Sequence, residues 1–255
     1  MELIDSHCHF DLPAFDVDRA EVLARCRGNG ISKLIIPAIE AKTWQSLLSL
    51  CQQNDGLYAA LGLHPMFLAN HNEFDLLQLE TLIKENHQGV IAVGEIGLDY
   101  FLPELDKDRQ QALFEAQLAL AQSSDLPVIL HVRKAHDQVL STLRRMPVCG
   151  GIVHAFSGSL QQANQYINLG FKLGFGGTLT YERANKIRRL ASELPLTSLV
   201  LETDAPDMPL AAYTGERNSP EYIAEILSEL ATIRGQAPAL IAKQTTENVK
   251  QVFRI

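Results

Sequence analysis

The sequence predicts an α/β protein, a TIM-type (β/α)8 barrel that occupies residues 1–255 as a single domain. Three observations predict it. Eight short apolar runs recur along the chain, their starts lie 21 to 37 residues apart, and six of them end in an imidazole or carboxylate residue. The spacing leaves room for one helix and two loops each time, and unalternated apolar runs are what parallel strands covered on both faces require. Eight such units favour closure into a barrel, and 255 residues with 46% hydrophobic content suit one barrel domain.

The first run, LID from Leu3, leads into His7 and His9, whose i, i+2 spacing puts both on one face of an extended chain. Cys8, between them, points the other way, toward the helices. KLIIPAI from Lys33 is followed by LYAALGL from Leu57, which closes on His64-Pro65, and VIAVGEI from Val90 delivers Glu95. The segment from Asp108 to Ser124 shows what lies between strands. Phe114, Leu118 and Ala121 form a stripe at helical spacing, Leu113, Ala116 and Leu120 widen it, and Leu126-Pro127 ends it. PVILHV from Pro127 carries His131, GIVHAF from Gly151 carries His154, KLGFGG follows from Lys172, and LVLETD from Leu199 ends at Asp204. Beyond Ser219, AEILSELATIR and PALIAKQTTENVK supply the last barrel helix and one more. No G-x-G-x-x-G follows a strand, and GFGG at 174–177 lacks the lysine of a phosphate loop, which weighs against an open nucleotide-binding sheet.

Composition excludes several classes. Cys8, Cys26, Cys51 and Cys149 show no C-x-x-C spacing, so neither a zinc ribbon nor a redox pair is expected, and the protein reads as reduced and cytoplasmic. The first ten residues, MELIDSHCHF, lack the basic and apolar regions of a signal peptide. No stretch approaches the ~18 apolar residues of a membrane span, so no membrane association is expected. No repeat, linker or low-complexity run marks a boundary, and nothing implies an obligate protein partner. The formal net charge of -8 opposes broad attraction to nucleic acid, so any polyanion must be bound locally.

In a barrel, chemistry sits at the C-terminal ends of the strands. Those ends here hold His7, His9, His64, Glu95, His131, His154 and Asp204, groups that are costly to bury without partners. Four imidazoles and two carboxylates exceed one four-coordinate zinc and suit two divalent ions that share a bridging carboxylate. Strand order assigns His7, His9 and Asp204 to one ion, His131 and His154 to the other, and Glu95 to the bridge. Glu202, one layer deeper than Asp204, is placed to accept a hydrogen bond from a ligating imidazole. His64 is read as a contact to substrate or ordered water. His71 and His87 read as solvated surface residues, and His136 as either a helix-start residue or a phosphate contact.

The motifs DSHCHF, GLHP, VGEIGLDY, LPVILHVR, GIVHAFSGS and LETDAPDMP, in that order, resemble the TatD-like metal-dependent hydrolases, described as TatD deoxyribonucleases, of the amidohydrolase-type barrel superfamily. The resemblance covers essentially the whole chain, and FSGSLQQA and LETDAPDMPL are closest in wording to the YjjV branch. It implies a two-metal barrel hydrolase acting on phosphodiester bonds, with ligands falling on His7, His9, Glu95, His131, His154 and Asp204. One departure stands out. Where many members carry an aromatic residue after D-A-P or D-S-P, this chain has Asp207 and then Met208, an added acid that disfavours a long polyanion.

The expected chemistry is hydrolysis by water made nucleophilic between two cations, with Asp204 as general base. Imidazole-rich ligation suits zinc or manganese, while the family's nuclease activity is associated with magnesium. The expected substrates are short or single-stranded DNA ends or another phosphoester. Substrate phosphates call for local cations, and the sequence offers Arg133 after the fifth run, Arg183 after the seventh and Arg217 after the eighth. Arg188 and Arg189 read as a solvated helix face. An alternative is hydrolysis of a carboxylic ester or amide, such as an aminoacyl ester of tRNA. Amide-cleaving relatives commonly bridge their metals with a carboxylated lysine, and the fourth run offers Glu95 and no lysine. A metal-stabilised binding protein without turnover is the third reading, disfavoured by a base at Asp204.

Overall fold

A computed structural model of the chain describes residues 1–85 and 89–255. His87, expected on the surface, lies outside the described residues. The strands β1 (Leu3–Asp5), β2 (Ile31–Pro37), β3 (Leu57–Leu61), β4 (Val90–Asp99), β5 (Val128–Arg133), β6 (Gly151–Val153), β7 (Phe171–Phe175) and β8 (Leu199–Leu201) fall on the eight apolar runs. They form one sheet in chain order, parallel throughout. Main-chain bonds just past the strands draw its two edges together. Ser6 N–H donates to Leu201 O at 3.0 Å, Asp204 N–H to His7 O at 2.9 Å and His9 N–H to Ala205 O at 2.8 Å. The first and last strands are therefore neighbours in a nearly closed barrel.

Helices α1 (Arg19–Gly28), α2 (Trp44–Gln53), α3 (Glu73–Glu85), α4 (Lys107–Ser123), α5 (His136–Arg145), α6 (Leu160–Asn168), α7 (Asn185–Glu193) and α8 (Ile223–Arg234) follow strands one to eight in turn, and α9 (Pro238–Phe253) is extra. In α4 the predicted stripe of Phe114, Leu118 and Ala121 is fully buried. Asp106 caps it, its carboxylate accepting from the N–H groups of Asp108 and Arg109. Leu126-Pro127 then breaks it, as expected.

Two apolar cores result. The larger lies between strands and helices, and Cys8 and Cys26 are buried in it as free thiols. The smaller fills the barrel with Ile4, Ile35, Ala92, Ile129, Ile152 and Val200, and Val249 and Phe253 of α9 pack beneath them. Helix α9 is fixed at that end because Thr246 donates to Glu2 O at 3.0 Å and Asn248 to Leu199 O at 2.7 Å, carbonyls at the starts of β1 and β8. The N-terminal end of the barrel is thus closed, and the opposite end is left for the polar cluster.

Asp5 ties the seam between β1 and β8. Its fully buried carboxylate accepts from Thr203 N–H at 3.0 Å, from Thr203 Oγ1–H at 2.5 Å and from His7 N–H at 3.2 Å. Burial nevertheless pushes its pKa from 3.8 up to about 8, against those three bonds. A folded-state pKa above the unfolded one means a contribution that is complete below the unfolded value and is lost as pH rises through the folded one. Asp5→Asn keeps an acceptor for both N–H groups and removes the charge. Chemical denaturation of both proteins across pH is expected to show wild type losing stability between about 3.8 and about 8, and the Asn variant lacking that slope.

Candidate metal centre

The strand ends deliver the cluster to one point at the open end of the barrel. His7 and His9 leave β1 on the same side, and their Nε2 atoms stand 3.3 Å apart. Glu95 comes from β4, whose register against β5 shifts between Val93 and Ile96, a bulge of the kind that re-aims a side chain. Its two oxygens face two different imidazole pairs. Oε2 lies 3.2 Å from His7 Nε2 and 3.5 Å from His9 Nε2, while Oε1 lies 3.1 Å from His131 Nδ1 and 3.3 Å from His64 Nε2. Asp204 completes the ring, with Oδ1 3.5 Å from His7 and 3.6 Å from His9, and Oδ2 3.7 Å from His154 Nε2. His7 and His154 stack with centroids 3.8 Å apart.

Three donor groups follow from this geometry: His7, His9 and Glu95; His7, His154 and Asp204; and His64, Glu95 and His131. The structure brings the six residues His7, His9, Glu95, His131, His154 and Asp204 together, with Glu95 between two imidazole pairs. It differs from the expected pairing of His131 with His154, whose rings stand 6.4 Å apart and share no donor group among the described residues. His131 instead faces Glu95, because β4 and β5 are adjacent and the bulge aims Glu95 toward it. His154 turns toward Asp204 and His7.

Hydrogen bonds behind the rings decide which nitrogens are free. His9 Nδ1 lies 3.0 Å from Pro37 O, an acceptor only, so Nδ1 carries the proton and Nε2 presents its lone pair to Glu95 and Asp204. Lone pair against carboxylate calls for a cation between them. His131 differs, because it stands between two carboxylates, with Nε2 3.1 Å from Asp99 Oδ2 and Nδ1 3.1 Å from Glu95 Oε1, so either ring nitrogen can donate. His64 is the reverse of His9. Its Nδ1 accepts from Met66 N–H at 3.1 Å, so the proton of the neutral ring sits on Nε2 and points at Glu95 Oε1. The Nε2–H of His64 thus steadies the Glu95 carboxylate, whereas His9 turns a lone pair toward it.

The electrostatics agree. Burial raises the pKa of Glu95, but His64, His7 and His131 outweigh it and hold the carboxylate well below its usual range. Burial, joined by the charge of His154, pushes His7 well down, and burial takes His64 to about 4. His131 is raised, burial being overcome by Asp99 and Glu95. For His154, burial is overcome by Asp204 and Glu202, which lift it to about 10. Asp204 is pushed up to about 6 by burial, with His154 and His9 opposing. A charge-dense, water-poor cluster of this kind suits divalent ions, whose binding displaces the protons held by His131 and His154.

Glu202 lies against His154 without the expected hydrogen bond to its ring. Its Oε1 accepts from Ala155 N–H at 2.6 Å and lies 3.1 Å from His154 Nδ1, outside hydrogen-bond angle. Gly174 is needed beside it, because a Cβ there would overlap the Glu202 carboxylate.

Arg133 lines a cavity of about 480 Å³ with His131, His154 and Asp204. Its guanidinium lies 3.7 Å over the Phe101 ring and 4.0 Å from Asp99. Arg183 lines an adjoining cavity. Arg217 is not brought to either. It forks onto Asp18 at 2.6 and 2.7 Å and donates to Ala14 O at 2.6 Å, a bidentate partner that outcompetes an outward pose. His71, expected in solvent, is buried, its Nε2–H donating to His64 O at 2.8 Å as the 65–70 turn folds back. His136 opens α5 with Nδ1 3.3 Å from the Tyr166 hydroxyl, a helix-start residue. Arg188 and Arg189 pair with Glu229 and Glu193. Asp207 is exposed.

Sequence reasoning missed Asp99, Gln110 and Asn218. Asp99 follows Glu95 at i+4 on the same strand face, a spacing that could have found it. Gln110, from α4, holds Asp99 by accepting from its N–H at 2.8 Å and donating to its carbonyl at 3.0 Å. Fully buried Asn218 donates to Thr203 O and Asp207 O, both at 2.8 Å, and so fixes the loop that carries Asp204.

Fold and site together define a (β/α)8 barrel with a candidate metal centre at the C-terminal ends of its strands. Residues 4–254 match the family model described as TatD related DNase, and the chain belongs to the TatD family. It is 46% identical over 253 residues to the uncharacterized metal-dependent hydrolase YjjV of Escherichia coli K12, covering 99% of this chain and 98% of that one. The crystal structure of that TatD homolog superposes with a TM-score of 0.96 at 45% identity, covering 99% and 98% of the two chains. A protein of Rahnella named as a 3'-5' ssDNA/RNA exonuclease, TatD, is 33% identical over 252 residues, 94% of each chain. An organophosphorus hydrolase from Deinococcus radiodurans, at 12% identity and a TM-score of 0.68 over 98% of this chain and 92% of that one, shares the fold.

The tautomers give a sharp expectation for metal content. Elemental analysis and calorimetric titration with zinc or manganese should find up to two ions per wild-type chain, fewer in His9→Ala and His131→Ala, and an unchanged number in His64→Ala. Loss of an ion from the His64 variant equal to that from the others would contradict the assignment.

Proposed function

We propose that the protein is a metal-dependent hydrolase that cleaves phosphodiester bonds, acting as a deoxyribonuclease of exonuclease type on short or single-stranded DNA ends. The observation that carries the reading is Glu95, whose two oxygens face separate imidazole pairs at 3.1 to 3.5 Å. A carboxylate so placed suits a bridge between two ions. The guanidinium of Arg133 stands in the same cavity. The Rahnella relative's name supports a nucleic-acid substrate.

Divalent magnesium, manganese or zinc held by His7, His9, Glu95, His131, His154 and Asp204 would supply Lewis-acid polarisation of a phosphoryl oxygen and make water more acidic. The chain's own residues do the rest. Asp204, partly buried and pushed up to about 6, is poised near neutrality to accept a proton from attacking water. Its oxygens, 3.5 to 3.7 Å from His7, His9 and His154, keep that acceptor fixed at the centre of the cluster. Arg133, flattened against Phe101, offers N–H groups to a non-bridging phosphate oxygen.

Assay of the metal-loaded protein against phosphodiesters, carboxylic esters including aminoacyl-tRNA, and amides tests the reading. Turnover of phosphodiesters is expected, and turnover of the esters or amides alone would replace it. Asp204→Asn should lose roughly 10²–10⁴-fold in rate, as general-base loss does, with metal content measured in parallel. Full activity in a loaded Asn variant removes Asp204 from the proton transfer. Because few cations are free at the mouth, affinity should fall gently with salt. Each neutralised phosphate of a single strand adds about 0.7 to the log–log slope, so a slope magnitude of about two is expected and a slope of about six would reveal an extended basic surface.

A further inference from the structure

The cavity over the metal centre does not stand alone. A second cavity of about 520 Å³ adjoins it, lined by Thr178, Tyr181, Arg183, Ala184, Met208 and Pro209, and the two share Thr178 and Met208 as a common wall. Its size lies within the roughly 300–1,000 Å³ of small-molecule sites. The surfaces differ in chemistry. The first cavity has ligating imidazoles, a carboxylate and Arg133; the second has an aromatic ring, a methionine, a proline and one guanidinium.

That second cavity is held in shape. The Tyr181 hydroxyl donates to Pro209 O at 3.0 Å and lies 3.2 Å from Thr214 Oγ1, which fixes the ring. Met208 sits at a left-handed φ of 50°, costly for a side chain with a Cβ, and buried Asn218 donates to its carbonyl at 3.2 Å. The Arg183 guanidinium lies 5.5 Å from the Tyr181 centroid and is exposed, with no ion pair among the described residues. An immobilised aromatic ring flanked by an uncommitted guanidinium is the chemistry that binds a nucleobase and the phosphate attached to it.

We infer that this cavity is a second substrate subsite, which takes the nucleoside next to the scissile phosphate by stacking on Tyr181, with Arg183 contacting the next phosphate along the strand. The inference rests on the phosphodiesterase reading and deepens it: the preferred substrate spans both cavities. Met208, on the shared wall, lies between the reacting phosphate and the neighbouring base.

The test uses the metal-loaded full chain with the thymidine dinucleotide TpT, and with thymidine 3'-methyl and 5'-methyl phosphodiesters, which keep the phosphate and one base. The variants are Tyr181→Leu, Tyr181→Phe, and Arg183→Ala assayed on the trinucleotide TpTpT. Wild type should prefer TpT over one of the two methyl esters. Tyr181→Leu should lower that preference, as a ratio of kcat/KM values, about tenfold, while Tyr181→Phe, which loses the hydroxyl bonds but keeps the ring, retains it. Arg183→Ala should raise KM for TpTpT more than for TpT. An unchanged preference in Tyr181→Leu, or equal loss in the Phe and Leu variants, overturns the stacking subsite while leaving the phosphodiesterase reading in place. An equal effect of Arg183→Ala on TpT and TpTpT overturns its phosphate contact. No turnover of any diester by loaded wild type overturns the parent reading and the subsite with it.

Discussion

A carboxylate among imidazoles, sealed from water, is the constraint on which the open end of this barrel depends. Glu95 is 1% exposed, and an ionised carboxylate in such a place is expensive unless it is paired on every side. The surrounding rings are in turn held from behind: His9 by Pro37 O, His131 by Asp99, His64 by Met66 N–H and the His71 ring at its carbonyl. Asp99 is fixed by Gln110 across two main-chain bonds. Each link limits the orientation of the next, so the donors are organised before any ion or substrate arrives, and preorganisation of this sort is what a metal site needs to select geometry.

Much of this was legible in the sequence, and the reason is periodicity. The strands read as apolar runs because both of their faces are buried, and His7, His9, Glu95, His131, His154 and Asp204 read as site residues because each interrupts or ends such a run. What the sequence hid were relations between distant segments. Arg217 looks like a free cation after β8, yet Asp18, 199 positions away, takes it. His71 lies in a polar stretch and is buried only because the turn before it folds back. Gln110 and Asn218 bond to the main chain of loops, and no side-chain pattern announces a main-chain partner. Strand order alone likewise does not contain the β4 bulge that aims Glu95 at His131.

An acidic chain can still favour an anionic substrate when its positive charge is distributed unevenly. Away from the mouth five guanidinium groups are matched by carboxylates: Arg25 by Glu221, Arg145 by Glu115, Arg188 by Glu229, Arg189 by Glu193 and Arg217 by Asp18. Arg133 instead rests on Phe101 with Asp99 4.0 Å away, and Arg183 rests near Tyr181. Arg133 thus keeps one distant carboxylate, and Arg183 has no ion pair among the described residues. The net charge of -8 opposes broad attraction of polyanions, and on the proposed phosphodiesterase reading the two adjacent cavities would offer these cations to a short substrate.

Left-handed backbone occurs at both ends of the barrel, at Asp125 and Arg254 at the closed end and at four residues near the mouth. Lys134, Ala155, Asp204 and Met208 all adopt left-handed φ values between 42° and 59°, and all four lie just beyond the ends of β5, β6 and β8. Each such residue costs on the order of 1–3 kcal/mol and persists only where neighbours over-determine it. The neighbours are visible for three of them: Asp204 N–H bonds to His7 O, Ala155 N–H bonds to the Glu202 carboxylate, and Met208 O accepts from Asn218. The offsetting stability comes from the other end, where α9 packs Val249 and Phe253 beneath the interior isoleucines and carries none of the candidate ligands. Because the apolar packing of α9 closes one end and the charge-dense cluster stands at the other, loops at the mouth can change without disturbing what keeps the barrel folded.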